Sequence, residues 1–131
     1  MKIENLVFEG GGVKGIAYAG AIEALETKNV LKDVKRVAGT SAGAITAALV
    51  SLKYDAATIT KVVNNTDFKK FEDHWNPLKI PTKYGLYKGQ FLLEFIESFF
   101  TDIGLANDTT FKDLKDKAYR DLKLFASDLN L

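Results

Sequence analysis

Seven residues, Val37-Ala38-Gly39-Thr40-Ser41-Ala42-Gly43, constrain this chain more than any other stretch. They set a serine between two glycines, where an apolar run that reads as a strand gives way to one that reads as a helix. This is the G-x-S-x-G arrangement of a nucleophile elbow. A sharp strand-to-helix turn crowds its neighbours, and Gly39 and Gly43 remove the Cβ atoms that would collide across it. Thr40 and Ala42 complete the elbow around Ser41. The serine hydroxyl is then expected at the top of the sheet. The helix N-terminus beneath it offers N–H groups and positive dipole charge to a developing oxyanion.

The 131 residues suffice for one modest hydrophobic core and fall short of two ordinary domains, so one compact unit is expected. A hydrophobic share of 47% with 27% charged residues reads as globular. The formal net charge of +1 supplies no electrostatic basis for a nucleic-acid partner. Cysteine is absent, which removes disulfides, thiolate zinc sites, cysteine-ligated iron–sulfur clusters and a cysteine nucleophile. Met1 to Asn5 lead directly into a strand-like run with no signal-peptide h-region. The longest nearly apolar run, Ala42 to Leu52, is much shorter than a membrane span. A cytoplasmic or peripheral membrane location follows as the expectation.

Leu6-Val7-Phe8 reads as a buried first strand running into Gly10-Gly11-Gly12, and helical spacing extends from Lys14 to about Lys28. Lys35 to Ala38 form the expected second strand, and the helix after Ser41 is apolar on nearly every side. Asp55 is placed to cap a helix that ends near Asn64-Asn65. Phe68 to Gly89 reads as a short helix followed by an irregular excursion containing Pro77 and Pro81. Helical spacing returns from Gln90 to about Phe100. Thr109 or Thr110 caps a helix start with Asp113 as first-turn acid, the helix running to about Tyr119, and Leu122 to Ala126 reads as a third strand. This order predicts an α/β three-layer sandwich with a mostly parallel sheet. Three strands make a thin sheet, so the fold is expected to be incomplete in this chain.

The second informative stretch is Gly10-Gly11-Gly12-Val13-Lys14-Gly15. Its glycines at 10, 12 and 15 match a dinucleotide fingerprint, but the acid that would hold a ribose at the end of the second strand is replaced by Ala38-Gly39-Thr40-Ser41. A phosphate-binding Walker loop is excluded by Ile16 and Ala17 after Gly15. No cofactor is expected. Adjacent parallel strands would instead bring this loop beside the elbow, where backbone N–H groups of Gly10 to Gly15 could serve an oxyanion above Ser41. Two readings of Lys14 stand: positive potential for an anionic head group, or an exposed lysine in a first helical turn.

These two motifs, in this order and spacing, resemble those of the patatin-like phospholipases. Gly10, Gly11, Gly12, Lys14 and Gly15 look like the family's G-G-G-x-K/R-G oxyanion motif, and Gly39 to Gly43 look like its nucleophile motif with Ser41 as nucleophile. Phe125 to Asn130 also resemble the family's chain. The resemblance implies that residues 1–131 are the N-terminal portion of a patatin-like domain. It further implies a Ser–Asp dyad whose aspartate lies in an Asp-Gly motif, and no Asp-Gly pair occurs in this sequence. The base is therefore expected outside the chain, in a C-terminal remainder present in cis or as a separate chain. Asp128 reads as a strand-end or loop hydrogen-bonding residue and His74, the single histidine, as a surface residue; no metal-ligand spacing appears.

For the complete protein the resemblance implies a lipid acyl hydrolase of phospholipase A type, acting on a phospholipid or other fatty-acyl ester, with transient contact to a membrane surface. The 131 residues alone are expected to be inactive. Phe91, Phe95, Phe99 and Phe100, with Trp75 and Tyr84, line an acyl channel, meet a membrane surface or form core, and lysines 69, 70, 79 and 83 either favour anionic lipid or form a solvated face. The rival function is a catalytically inactive lipid-binding or protein-interaction module of the same fold.

Overall fold

The computed structural model describes residues 2–71 and 89–128. Contacts divide the chain into two compact units, Met1–Asn65 with Asp108–Leu131, and Thr66–Asn107. The single unit expected from length is thus corrected. The segment between the two halves of the first unit has aromatic packing of its own.

The first unit is built on a parallel sheet of β1 (Asn5–Phe8), β2 (Arg36–Thr40) and β3 (Asp121–Phe125), ordered β1-β2-β3. Phe8 stands level with Gly39, and Gly39 with Leu124, so all three strands finish together at the elbow. Between β1 and β2 run a 3-10 turn (Gly12–Ile16), α1 (Ala17–Thr27) and a second 3-10 turn (Leu31–Asp33). Helix α2 (Ala42–Ser51) lies against the sheet, and α1 packs on α3 (Ala56–Asn65). The chain returns through α5 (Phe111–Asp116), after α4 (Gln90–Asp102) of the second unit, into β3.

Helix α2 buries Gly43, Thr46, Ala47, Ala48, Leu49, Val50 and Ser51, as an element apolar on nearly every side must. Val37 and Gly39 face it from β2, and Ile22, Ile59 and Leu114 are buried in the same unit. Alternation along the strands turns Val7, Ala38 and Phe125 to the other face. There Val7 is 77% and Phe125 63% exposed. The expectation of a buried first strand is corrected: β1 is an edge strand, and only Phe8 within it is buried.

Local signals explain most boundaries. The Thr58 N–H donates to Asp55 Oδ1 at 2.7 Å, which caps α3 as the sequence predicts. Thr110 and Asp113 form a reciprocal capping box at the start of α5. That helix ends at Asp116 rather than near Tyr119, because Ala118 takes a left-handed φ of 60° and the Tyr119 N–H closes onto the Leu114 carbonyl. Strand β2 extends through Thr40, beyond the expected Ala38, since Gly39 and Thr40 still pair with β3. Helix α1 begins at Ala17 rather than Lys14, the glycine-rich lead-in closing instead as a 3-10 turn.

Arg120 fastens the end of the sheet opposite the elbow. Its Nη1 donates to the Val50 carbonyl at 2.6 Å, Nη2 to Leu31 at 2.8 Å and Nε to Val34 at 3.2 Å. The buried Ser51 hydroxyl donates to the Arg120 carbonyl at 2.6 Å, and the Arg120 N–H donates to the Ser51 carbonyl at 3.3 Å. A guanidinium suits this place because the last carbonyls of α2 carry the negative end of the helix dipole. Its partial burial nonetheless pushes its pKa down from the ordinary arginine value.

Within the second unit, a 3-10 turn (Phe68–Phe71) and α4 share an aromatic cluster. Ring centroids lie 5.2 Å apart for Phe71 and Phe91, 5.5 Å for Phe71 and Phe95, and 4.7 Å for Phe95 and Phe99. Phe99 is 1% exposed. Phe91, Phe95 and Phe100 are half-buried. Trp75, Tyr84, His74, Pro77, Pro81 and lysines 79 and 83 lie outside the described residues.

Candidate active site

The elbow is a turn of a single residue. β2 ends at Thr40, α2 begins at Ala42, and Ser41 between them holds φ 52° and ψ −129°. L-residues rarely adopt such a backbone, and holding one there costs about 1–3 kcal/mol, sustained only where the surroundings fix it. Two glycines do the fixing. A Cβ on Gly39 would overlap the Gly43 carbonyl, and a Cβ on Gly43 would overlap the carbonyls of Phe8 and Glu9. Strand and helix can therefore cross at this distance only without side chains, and the helix start is pressed against the end of β1.

Ser41 is exposed, and its carbonyl accepts from the Ala44 N–H at 2.8 Å and from Ile45 at 3.4 Å. The first N–H groups of a helix lack partners within it. In α2 these belong to Ala42 and Gly43, immediately after the serine. The site thus combines a hydroxyl, a helix N-terminus and an exposed approach.

The glycine loop lies alongside. An added Cβ on Gly10 would stand 3.1 Å from Ser41 Cβ, and one on Gly15 would stand 2.9 Å from Ala42 Cβ. Gly12 holds a positive φ of 54°, and the Lys14 N–H closes the turn onto the Gly11 carbonyl at 3.1 Å. The Tyr18 hydroxyl donates to the Glu9 carbonyl at 2.9 Å while its ring packs edge-on against Phe8. Gly10, Gly11, Gly12, Val13, Lys14 and Gly15 accordingly form one rim beside Gly39, Thr40, Ser41, Ala42 and Gly43. The Val13 and Lys14 side chains are exposed on it.

On the other flank, Thr40 Oγ1 donates to the Phe125 carbonyl at 3.1 Å, which ties the elbow to the end of β3. Asp128 follows three residues later. His74 lies outside the described residues, so no second member of a Ser–His pair is located. Among the described residues no group of three or more His, Asp or Glu side chains is arranged to hold a metal ion, and no helix is long and apolar enough to cross a membrane.

Sequence reasoning passed over Thr40 as a tether and Arg120 altogether. One signal for the latter was available. Arg36 and Arg120 are the arginines of a lysine-rich chain, and a forked guanidinium is the group chosen where several acceptors must be held at once.

Comparison with known proteins agrees with this architecture. Residues 6–129 match the family described as patatin-like phospholipase. The uncharacterized protein YqhO of Bacillus subtilis is 42% identical over 132 residues, an alignment covering 94% of this chain and 43% of YqhO. Among solved structures, the type III effector protein ExoU superposes with a TM-score of 0.68 at 26% identity, covering 95% of this chain and 33% of ExoU. VipD from Legionella pneumophila gives a TM-score of 0.63 at 28% identity, covering 78% of this chain and 18% of VipD. The chain spans less than half the length of the curated relatives it matches. A parallel α/β sheet, a glycine loop against a strand-to-helix serine turn, and a family match over almost every residue together assign the chain to the patatin-like phospholipase family.

Proposed function

We propose that Ser41 is the nucleophile of a lipid acyl hydrolase of phospholipase A type, and that residues 1–131 are the N-terminal portion of its domain. Ser41 Oγ attacks the ester carbonyl of a phospholipid or related fatty-acyl ester while an aspartate supplied from outside this chain accepts the hydroxyl proton. Backbone N–H groups of the Gly10 to Gly15 loop, with the N-terminus of α2, hold the oxyanion of the tetrahedral intermediate. That intermediate collapses to an acyl-enzyme as the aspartate passes the proton to the leaving oxygen, which departs as the alcohol. Water, deprotonated by the same aspartate, then releases the fatty acid.

The observation that carries this reading is the backbone of Ser41 at φ 52° and ψ −129°, with the Gly10 backbone packed beside its Cβ. A strained, exposed serine flanked by a glycine-rich loop supports nucleophilic use better than a structural one. The limited share of YqhO that is covered, and the exposure of Val7 and Phe125 on one sheet face, support a domain that continues beyond these residues. Contact with a membrane surface belongs to the same proposal, since the substrate is a lipid.

The test is release of fatty acid from phospholipid by the full-length protein beside its Ser41→Ala variant. Activity in the first that disappears in the second is expected. If a folded full-length protein releases none under conditions where it binds lipid vesicles, the chain belongs instead to an inactive lipid-binding module of the same fold.

A further inference from the structure

We infer that Arg120 is a positioning residue for Ser41, holding the nucleophile in its strained turn by fixing the far end of α2 against β3. The inference rests on the reading of Ser41 as nucleophile. Helix α2 is ten residues long, a rod of about 15 Å with Ser41 just before one end and Ser51 at the other. At the serine end, the Gly43 backbone sits so close to Phe8 and Glu9 that the helix cannot advance. At the other end, Arg120 Nη1 grips the Val50 carbonyl, the Ser51 hydroxyl grips the Arg120 carbonyl, and the Arg120 N–H returns to Ser51. The same guanidinium reaches Leu31 and Val34, in the segment that leads into β2. One side chain therefore locks the position of α2 along its axis to both strands that flank it.

This lock has mechanical meaning because Ser41 is strained. A backbone at φ 52° and ψ −129° relaxes if the helix that follows it can retreat or swing. Retreat is what the Arg120 fork opposes. Its three donors point to three carbonyls on two segments, and a single ammonium cannot reproduce that geometry. Arg120 does not touch the reacting atoms. It acts through α2.

The test uses full-length protein and the rate at which Ser41 is labelled by a small fluorophosphonate, measured where circular dichroism shows each variant fully folded. Arg120→Lys keeps a positive charge at the helix end and is expected to label about ten- to a hundredfold more slowly, the range a small misplacement of a reacting group produces. Ser51→Ala, which keeps the guanidinium and removes one strap, is expected to slow labelling by less, and it carries the test if Arg120→Lys does not fold. Ile59→Val trims a buried side chain in α3 and serves as the control for a purely structural loss. Wild-type labelling rates in folded Arg120→Lys or in Ser51→Ala would overturn the inference, as would an equal loss in Ile59→Val. If wild-type protein is not labelled at Ser41, the nucleophile reading fails separately. Amide exchange at Ala44 and Ile45, which donate to the Ser41 carbonyl, then decides: faster exchange in Arg120→Lys than in Ile59→Val upholds the positioning role, and equal exchange overturns it.

Discussion

Thr40 Oγ1 donates a hydrogen bond of 3.1 Å to the main-chain carbonyl of Phe125, so the residue before Ser41 is tied to the last residue of the neighbouring strand. The bond adds a side-chain link where the β2–β3 ladder reaches its last registered pair, Thr40 with Phe125. It therefore fixes the exit of β3 as well as the entry to the elbow. Thr40→Val keeps the shape and removes the donor. Because the bond is exposed, the stability change should stay below about 1 kcal/mol. Turnover of a lipid ester by the full-length protein is expected to fall about tenfold, with KM little changed. Thr40→Ser should restore most of it, and equal kcat values for Val, Ser and Thr at this position would show the tether to be dispensable.

Gly43→Ala should be a damaging single methyl in the elbow. The added Cβ would meet the carbonyls of Phe8 and Glu9, which belong to a strand end and cannot turn aside as a side chain would. Overpacking of this kind costs about 1–3 kcal/mol, occasionally more. A lowered melting temperature is expected, with loss of Ser41 reactivity even in the fraction that folds. Gly20→Ala provides the contrast, because nothing lies within 4 Å of a Cβ there and the site is within α1. That change should be neutral or slightly stabilising, since alanine is the better helix former.

How far the elbow could be read in advance depended on the range of the forces involved. Gly39, Ser41 and Gly43 announce themselves because Gly39 must clear Gly43 within five residues, although Gly43 must also clear the distant carbonyls of Phe8 and Glu9. The same holds for the Thr110–Asp113 box and the Asp55 cap, each a hydrogen bond across three positions. What could not be read is set by distant partners. Val7 lies in an apolar run, and periodicity does not tell which sheet face another layer covers, so its 77% exposure came as a correction. The end of α5 rests on Ala118 at φ 60°, where no glycine or asparagine signals a left-handed residue. Arg120 binds carbonyls 70 to 89 positions away, so beyond the scarcity of arginine in this chain no local pattern marks it. The second unit was hidden for a related reason. Spacing shows that Phe91, Phe95 and Phe99 share a helix face, but not that Phe71 completes a cluster with them.

The capping box gives α5 a defined response to acid. Hydrogen bonds from the Thr110 side chain and backbone hold the Asp113 carboxyl below the usual carboxylate range. A carboxyl whose folded pKa is depressed contributes stability that is fully present above its unfolded pKa, about 3.9, and is lost as pH falls through the folded value. The difference in melting temperature between wild type and Asp113→Ala is therefore expected to be constant from neutral pH down to about 5. It should narrow as pH falls below about 4. A difference that held unchanged to pH 2 would assign the effect of Asp113 to helix propensity rather than to its charge-assisted bonds. Glu4 is lowered in the same direction by Lys35 and Lys2, with Lys35 Nζ at 2.8 Å. Its exposure and the salt sensitivity of such pairs make its own effect the one that high salt should erase first.

Phe99 tests whether the second unit holds itself together. The ring is 1% exposed and packs edge-on against Phe95, which in turn contacts Phe71 and Phe91. Truncation to alanine removes a large buried side chain, at a cost of about 3–5 kcal/mol. If the aromatic cluster is what orders residues 66–107, amide exchange in Phe99→Ala should rise first across α4, while the amides of α2 and β2 keep wild-type protection. Phe99→Leu, which refills most of the volume without the ring contacts, should lie between. Loss of protection across β2 and α2 at the same rate as in α4 would instead mean that the two units unfold as one cooperative body. Defects in the aromatic cluster would then reach Ser41 as readily as defects in the elbow itself.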